Sequence, residues 1–395
     1  MTLDSPLVFV DGNRQVMVAD SKGVHPQLGG SDLLWATWGQ RQPAFVHSWS
    51  AWGPDQRRIA SFRIAKTGQD SRVWVTDVAG VSGAEVGSMG SRVPIYLQWS
   101  PSGQRLAVLS QDDQELVLAE ADPTGRMADR ELLRGSPLFF TWLPGDRLAA
   151  FVGEGVPTHP RMAILSPDGQ RRDLPGAPGN FCAPVVIDGG LAYVAHHHNQ
   201  VVILASTPDG HHVRELELVD GLVALLAAPH GPWLARAISP DGTGAPYRQL
   251  DLLNLQTAEI QPVTDAPSIA FFWLPQGNGF VIANRVSDQA VVHWSRVDLQ
   301  GHATPLIDLV PSRDSRVYLR FFEQYSPSHP VVDPTGRNLV LCGSPADEPD
   351  APSRVWLVPL DGGPPEEIGE GLFASFAPHS PRSPDGRSRD PVVVA

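Results

Sequence analysis

Short apolar segments alternate with turn-forming residues along almost the whole chain. The clearest stretch runs from Ile95 to Gly125 as IYLQWSPSGQRLAVLSQDDQELVLAEADPTG. In it an apolar strand, a Ser-Pro-x-Gly turn, a second strand, a polar loop and a third strand closed by Asp-x-x-Gly follow one another. Proline presets φ at the first turn position, and glycine accepts the positive φ at which a chain reverses. The pattern predicts three strands joined by tight turns, with a fourth strand at RELLRG.

The same order of segments recurs, which indicates an internal repeat. Copies of the pattern begin at Ser48, Ile95, Phe139, Ala183, Val223, Ile269 and Pro330. From Ser48 to Ile269 successive copies start 40 to 47 residues apart, which is the length of one propeller blade. Segments such as LAVLS and LAAFVG are apolar at nearly every position, as is typical of strands covered on both faces. The repeat predicts sheets stacked around an axis.

The two ends of the chain complement each other. The stretch Leu7–Gly30 has the pattern of a blade without its first strand, and Gly371–Pro378 has the pattern of a first strand without its blade. Pairing them would make a composite blade and remove an exposed sheet edge. We therefore predict an all-β fold, a β-propeller of about eight four-stranded blades closed by its N- and C-terminal strands, with seven blades as the alternative. We expect one propeller domain over residues 1–378 and a loosely ordered C-terminal tail over 379–395.

The repeat also resembles a known family. The Trp-Ser-Pro-x-Gly turn at Trp99–Gly103, followed by QRLAVLS and a strand ending in Asp-x-x-Gly, resembles the repeat of TolB-like (WD40-like) β-propellers. Related turns occur at Pro54-Asp55, Pro334–Gly336 and Pro384–Gly386, whereas the middle blades carry Trp142-Leu-Pro-Gly and Trp273-Leu-Pro-Gln. Similar repeats build the propeller that precedes the hydrolase domain in prolyl oligopeptidase relatives. The resemblance implies a propeller fold and a habit of binding, and it leaves the function open.

Charge and composition restrict the classes of partner that we expect. The formal net charge is −13, and no run of Lys or Arg forms a basic stripe, so we expect no nucleic-acid partner. The start, MTLDSPLVFVDG, has no basic segment ahead of a sustained apolar stretch, and no run of about 18 apolar residues occurs. We expect no membrane insertion and a soluble, cytoplasmic protein. Cys182 and Cys342 are too few for a disulfide framework and are predicted to be buried thiols.

Signals for catalysis are weak. No Gly-x-Ser-x-Gly nucleophile elbow occurs, and fewer than 25 residues follow Gly371, too few for an α/β-hydrolase domain. His196 and His198 are the leading metal candidates, ahead of His211 and His212, because alternate residues of an extended segment share one side. Zinc would need a further ligand from elsewhere, and a solvated polar turn is the default interpretation. We predict no catalytic residue, no metal site and no cofactor.

The longest insertion in the repeat, Val310–His329, combines basic and aromatic residues. It precedes an inner strand, which predicts a position on the rim where the channel opens, and loops on rigid scaffolds concentrate binding residues. Buried Arg and Tyr side chains dominate interface energetics. The predicted binding residues of this insertion are Arg313, Arg316, Arg320, Glu323 and Tyr325. In the alternative interpretation, Phe321 and Phe322 fill the interior and Arg320 pairs with Glu323 or a neighbouring acid.

Most of the 11 tryptophans occupy strand positions. Trp49, Trp99, Trp142 and Trp273 are predicted to be equivalent packing positions near the first turn of their blades. Trp35 and Trp38 lie outside the repeat and are predicted to be surface binding residues.

These observations favour a non-catalytic binding platform that mediates protein–protein or protein–peptide interaction through Arg316, Arg320 and Tyr325. Two alternatives stay open. One is an enzyme of lyase or hydrolase type, metal-assisted or not, acting on a small molecule at the central channel. The other is a structural subunit of a larger complex.

Overall fold

The computed structural model of the chain describes residues 3–26, 45–68, 70–79, 82–126, 129–155, 159–174, 177–178, 182–197, 200–239, 245–285 and 290–378. Their strands form antiparallel sheets arranged as eight blades. The first blade joins both ends of the chain, with β1 (Leu7–Val10), β2 (Val16–Asp20), β3 (Gly23–Pro26) and the last strand, β32 (Phe373–Phe376).

The next three blades each contain four consecutive strands. Their strands are β4 (Phe45–Trp52), β5 (Arg58–Ala65), β6 (Ser71–Asp77), β7 (Gly83–Gly90), β8 (Val93–Trp99), β9 (Leu106–Asp112), β10 (Glu115–Ala121), β11 (Arg130–Gly135), β12 (Leu138–Leu143), β13 (Arg147–Glu154), β14 (His159–Leu165) and β15 (Arg171–Asp173).

In the fifth blade two short strands, β16 (Ala177–Pro178) and β17 (Val185–Ile187), both pair with β18. The remaining strands of the fifth, sixth and seventh blades are β18 (Gly190–His197), β19 (Gln200–Ser206), β20 (Val213–Leu218), β21 (Leu222–Ala227), β22 (Trp233–Ser239), β23 (Arg248–Asn254), β24 (Ile260–Thr264), β25 (Ala270–Trp273), β26 (Gly279–Arg285), β27 (Val292–Asp298) and β28 (Ala303–Pro311).

The eighth blade contains β29 (Asn338–Pro345), β30 (Arg354–Pro359) and β31 (Glu366–Glu370). Its inner position is taken by the stretch that includes Val332, which bridges Leu339. Two helices, α1 (Arg313–Arg320) and α2 (Phe322–Tyr325), lie between the seventh and eighth blades in the chain.

Ring closure follows the prediction. Strand β1 pairs with β32 in antiparallel register from Leu7 opposite Phe376 to Val10 opposite Phe373. All four residues of each strand are buried. The pairing confirms a propeller closed by its terminal strands. The predicted domain limits, 1–378 and 379–395, stay predictions, and residues 379–395 lie outside the described residues.

The tight turns hold the inner strands in place. Gly103 adopts a φ of +70° and donates its N–H to the carbonyl of Ser100 at 2.9 Å, which closes the Ser-Pro-x-Gly turn predicted from the repeat. Every residue of the inner strand β12 is buried. Continuous burial fits a strand covered on both faces by neighbouring blades.

Tryptophans at one repeated position join successive blades. The indole N–H groups of Trp99, Trp142 and Trp273 donate to the carbonyls of Ala51, Gln98 and Leu226, at 3.1, 3.2 and 3.1 Å. Each acceptor belongs to the inner strand of the preceding blade. The second-blade equivalent is Trp52, which pairs with Ile59 as Trp99 pairs with Leu106. The predicted equivalence of Trp49 is therefore wrong, because a bulge between Ser48 and Ala51 gives Trp49 a φ of +51° and a different environment.

The insertion contains helices that the sequence pattern did not predict. The side chain of Ser312 caps α1 by accepting the N–H of Ser315 at 2.9 Å, and Tyr318 and Leu319 are buried. Eight residues are too few for a stable isolated helix, so tertiary burial holds this one. Its hydrophobic pattern is correspondingly too short to stand out in the sequence.

Two further expectations concern the cysteines and the membrane. Cys182 and Cys342 are both buried free thiols, as predicted. Within the described part of the chain, no helix has the length and apolar character needed to cross a membrane.

Candidate functional site

The helical insertion enters the central channel. We call residues Arg313–Tyr325 the plug. Helix α2 contacts the inner strand β21 of the sixth blade and also β12 of the fourth blade, which lies across the ring from the position of the helix in the chain. Phe322 and Tyr325 are 1% and 3% exposed. The insertion is thus an internal element that fills the channel.

Polar bonds fix the plug to the inner strands. The backbone N–H of Phe140 donates to Gln324 Oε1 at 3.0 Å, and Gln324 Nε2 donates to the carbonyl of Phe140 at 2.7 Å. The hydroxyl of Tyr96 donates to the backbone carbonyl of Gln324 at 3.0 Å. Inner strands expose an unpaired edge to the channel, and these bonds satisfy part of it.

Aromatic rings complete the packing. The ring of Tyr325 lies 4.9 Å from Trp49 and 4.6 Å from Tyr96, and Phe322 lies 5.0 Å from Phe271. Rings at such separations in tilted arrangements stabilise one another beyond their burial. Trp49 therefore packs against the plug from the second blade, which explains its departure from the repeated tryptophan position.

A cluster of titratable groups surrounds Glu323. The hydroxyl of Tyr247 donates to Glu323 Oε1 at 3.4 Å, and the thiol of Cys182 donates to Glu323 Oε2 at 3.5 Å. The backbone N–H groups of Leu225 and Ala183 also bond to this carboxyl group. Glu323 and Tyr247 are partly exposed, whereas Cys182 is buried. These residues come from the fifth and sixth blades and the plug.

Burial shifts the acid–base properties of this cluster. Loss of water around the carboxyl group raises the pKa of Glu323 to about 7, and its hydrogen bonds only partly oppose that effect. Burial, with the nearby Glu323 carboxyl group as a second cause, raises the pKa of the Cys182 thiol well above its ordinary value. The thiol therefore stays protonated at neutral pH, which disfavours it as a nucleophile. Glu323 is the group that can gain or lose a proton near neutrality.

A cavity of about 360 Å³ lies beside α1. Its apolar wall includes Ile269, Val292 and Leu319, and its charged lining consists of Arg285, Arg316 and Arg320. Ala245, two residues before Tyr247 in the chain, also lines it. A second cavity, of about 320 Å³, is lined by inner-strand residues such as Thr141 and Leu226 and by Ser326 just after the plug.

The structure separates the predicted binding residues into exposed and buried ones. Arg313, Arg316 and Arg320 are exposed on α1, while Tyr325 is buried in the channel. Phe322 fills the interior, as the alternative interpretation of the insertion expected. Among the described residues, Arg320 and Glu323 do not form an ion pair. Trp35, Trp38 and His198 lie outside the described residues, and His196 is exposed at the end of β18.

Sequence reasoning did not find the partners of Glu323. Cys182 precedes Glu323 by 141 residues and Tyr247 precedes it by 76. The only signal was that Cys182 would be buried, and a buried thiol gives no indication of what it faces. In the described residues, no group of three or more His, Cys, Asp or Glu side chains could hold a metal ion.

Comparisons place the fold among known propellers. No protein-family model matches the chain, and no curated protein matches it. Among solved structures, a chain from a structural analysis of two prolyl endopeptidases shares 11% identity over 84% of this chain and 50% of its own, with a TM-score of 0.54. TolB from Acinetobacter baumannii shares 13% identity over 77% of this chain and 63% of its own, with a TM-score of 0.40. The propeller domain of the Trilobed protease from Pyrococcus furiosus shares 13% over 74% and 86%, with a TM-score of 0.45.

The blades and these similarities define the class as a β-propeller. More particularly, the four-stranded antiparallel blades fit the TolB-like repeat that the sequence resembles. The chain spans 63% of the TolB chain and half the length of the prolyl endopeptidases.

These findings correct the functional expectation. The sequence favours a non-catalytic docking platform, but this fold also occurs within prolyl endopeptidases, which are enzymes. The fold therefore gives no support to a non-catalytic role. Tyr325, which was predicted to lie at the centre of the docking surface, is buried inside the ring and is not part of an exposed surface.

Proposed function

We propose that the protein acts as a hydrolase on a small carbonyl substrate, with Glu323 as the group that transfers the proton. The observation that carries the proposal is the carboxyl group of a partly exposed residue, Glu323, whose pKa is raised to about 7 by loss of surrounding water and which lies beside the hydroxyl of Tyr247. A general base or acid works best when its pKa lies near the operating pH. Among the described residues, the cluster around Glu323 is the strongest candidate for such a group.

The chemistry would proceed in two steps. Ionised Glu323 takes a proton from water as the water oxygen attacks the carbonyl carbon, and the Tyr247 hydroxyl turns its single proton from Glu323 to the developing oxyanion. Protonated Glu323 then gives its proton to the leaving group as the bond from the carbonyl carbon to that group breaks. Atoms and charges balance, and Cys182 remains a protonated hydrogen-bond donor throughout.

The position of the cavity beside α1 supports a substrate site near this cluster. The cavity beside α1 includes Ala245, two residues from Tyr247, and Arg320, three residues from Glu323. Prolyl endopeptidases, with which the chain shares its fold, act on peptides, so a peptide is the first substrate class to test, together with simple esters and lactones. A peptide or protein partner and a cytoplasmic location stay proposals, and cell fractionation would test the location.

The test is hydrolysis by the purified full chain. The substrates are p-nitrophenyl esters, a lactone and a peptide p-nitroanilide, and the variant is Glu323→Gln. We expect the hydrolysis rate of the parent to rise as pH increases through about 7. The Glu323→Gln variant should hydrolyse the substrate about 100-fold more slowly. Glu259→Gln, at an exposed position, is the matched control and should keep the parental rate. The proposal fails if no substrate is hydrolysed above the uncatalysed rate, or if Glu323→Gln is as active as the parent.

A further inference from the structure

The cavity beside α1 has a composition that the hydrolytic proposal does not use. Apolar side chains from Ile269, Val292 and Leu319 form its wall, and Arg285, Arg316 and Arg320 contribute to its lining. Its volume of about 360 Å³ falls in the range of small-molecule sites. An apolar wall beside fixed charges is the arrangement that binds a ligand having both characters.

Arg316 and Arg320 differ from the salt-bridged arginines of the described residues. Arg58, Arg105 and Arg236 each reach a carboxylate, at 2.7, 2.8 and 2.9 Å. For Arg316 the described contact is a 3.5 Å approach to the carbonyl of Pro311, and for Arg320 it is the face of its neighbour Phe321. No carboxylate in the described part of the chain lies within ion-pair distance of either. Other arginines, such as Arg147 and Arg214, also bond to carbonyl oxygens without reaching a carboxylate. What distinguishes Arg316 and Arg320 is that both line this cavity, and no acidic residue is among the described residues of its lining.

The spacing of the two arginines places them together. They are four residues apart on α1, so they share one face of the helix and repel each other. The helix dipole favours Arg320 in the last turn, but Arg316 lies one turn earlier and gains little from it. A bound anion would remove the repulsion, and guanidinium groups bind carboxylate and phosphate oxygens in pairs of hydrogen bonds.

We propose that this cavity is a binding site for a small amphiphilic anion, whose carboxylate or phosphate head meets Arg316 and Arg320 and whose apolar body lies against Ile269, Val292 and Leu319. The site does not depend on hydrolysis at Glu323, because binding alone defines it. The two head groups share the same chemistry of recognition, and the probes separate them.

The experiment is calorimetric titration of the full chain with octanoate and with octyl phosphate. Acetate, which lacks the apolar body, and octylammonium, which carries the opposite charge, are the ligand controls. The variant is the double substitution Arg316→Gln and Arg320→Gln. The matched protein control is Arg313→Gln, at an exposed position on the same helix that does not line the cavity. Both variants change exposed residues, and circular dichroism checks that they fold.

We expect at least one octyl anion to bind, and the tighter of the two identifies the head group. The double variant should bind it at least about tenfold more weakly. Arg313→Gln should stay within about twofold of the parent, as should Glu323→Gln, which separates this site from the hydrolytic proposal. The proposal is overturned if neither octyl anion binds at millimolar concentration, if acetate or octylammonium binds as tightly, or if the double variant keeps the parental affinity.

Discussion

The side-chain amide of Gln324 pairs with the backbone of Phe140 through two hydrogen bonds, of 3.0 and 2.7 Å, although 184 residues separate them. Gln324 is 4% exposed and Phe140 is fully buried. The amide thus takes the place that a neighbouring strand would occupy along β12, and it ties the plug to the opposite side of the ring.

Replacing this amide should destabilise the protein. Gln324→Leu would leave the N–H and C=O groups of Phe140 buried without partners, so we expect the free energy of unfolding to fall by about 2–4 kcal/mol. Urea denaturation followed by circular dichroism measures it. Gln104→Leu, at an exposed turn position, is the control and should change stability little. An unchanged unfolding midpoint for Gln324→Leu would contradict the described pairing.

Glu323 should make stability depend on pH. Its folded pKa is raised to about 7 from an ordinary value of 4.5, so its contribution to stability is fully present below pH 4.5 and is lost as pH rises through 7. Glu323→Gln cannot ionise, and we expect it to gain about 1–3 kcal/mol relative to the parent between pH 5 and pH 8. Denaturant titrations at both pH values test this. Parallel pH profiles for the two proteins would show that Glu323 does not ionise in this range.

His329 should act in the opposite direction. It is fully buried, and burial lowers its pKa to about 3 from 6.5, so the stability it contributes is present above pH 6.5 and is lost as pH falls towards 3. We expect a loss of about 3 kcal/mol by pH 4, which His329→Phe should largely remove. Thermal unfolding between pH 4 and pH 7 measures it. His230→Phe, at an exposed position, should retain the acid sensitivity of the parent.

Each indole hydrogen bond between neighbouring blades should contribute separately to the free energy of unfolding. Trp142→Phe keeps most of the ring but removes the N–H that bonds to the carbonyl of Gln98 at 3.2 Å, leaving that carbonyl without this donor. We expect a loss of about 1–3 kcal/mol in the free energy of unfolding. Trp233→Phe is the control, because the indole N–H of Trp233 makes no hydrogen bond with the described residues. Equal losses in the two variants would assign the effect to ring size alone.

Local signals were sufficient for the blades. The Ser-Pro-x-Gly turn at Ser100–Gly103 and the apolar strands around it form their structure from neighbouring residues, and the repeat supplies the same interfaces eight times. The sequence therefore predicted the ring, its closure by terminal strands and the burial of both cysteines. It wrongly placed Trp49 at the repeated tryptophan position. A bulge changes the side of the strand on which a side chain lies, and it leaves no clear signal in the hydrophobic pattern of the sequence.

The plug and its site were decided by the tertiary structure. The sequence identified the insertion and its arginines by composition, but a basic, aromatic segment can lie on a rim or fill a channel. Which occurs depends on contacts with residues such as Phe140, Tyr96 and Cys182, each more than 100 residues away. The acidity of Glu323 depends on that burial, so no local pattern could have predicted it.

By itself, then, the chain's turn-and-strand repeat determined a closed ring of about eight blades, with seven as the alternative, because each blade is built from short-range turns and from strands that need cover on both faces. Only the folded ring determined what fills its centre and which side chains meet there. The physical reason is that the eight inner strands come together from all parts of the chain, and the groups around Glu323 acquire their properties from that meeting.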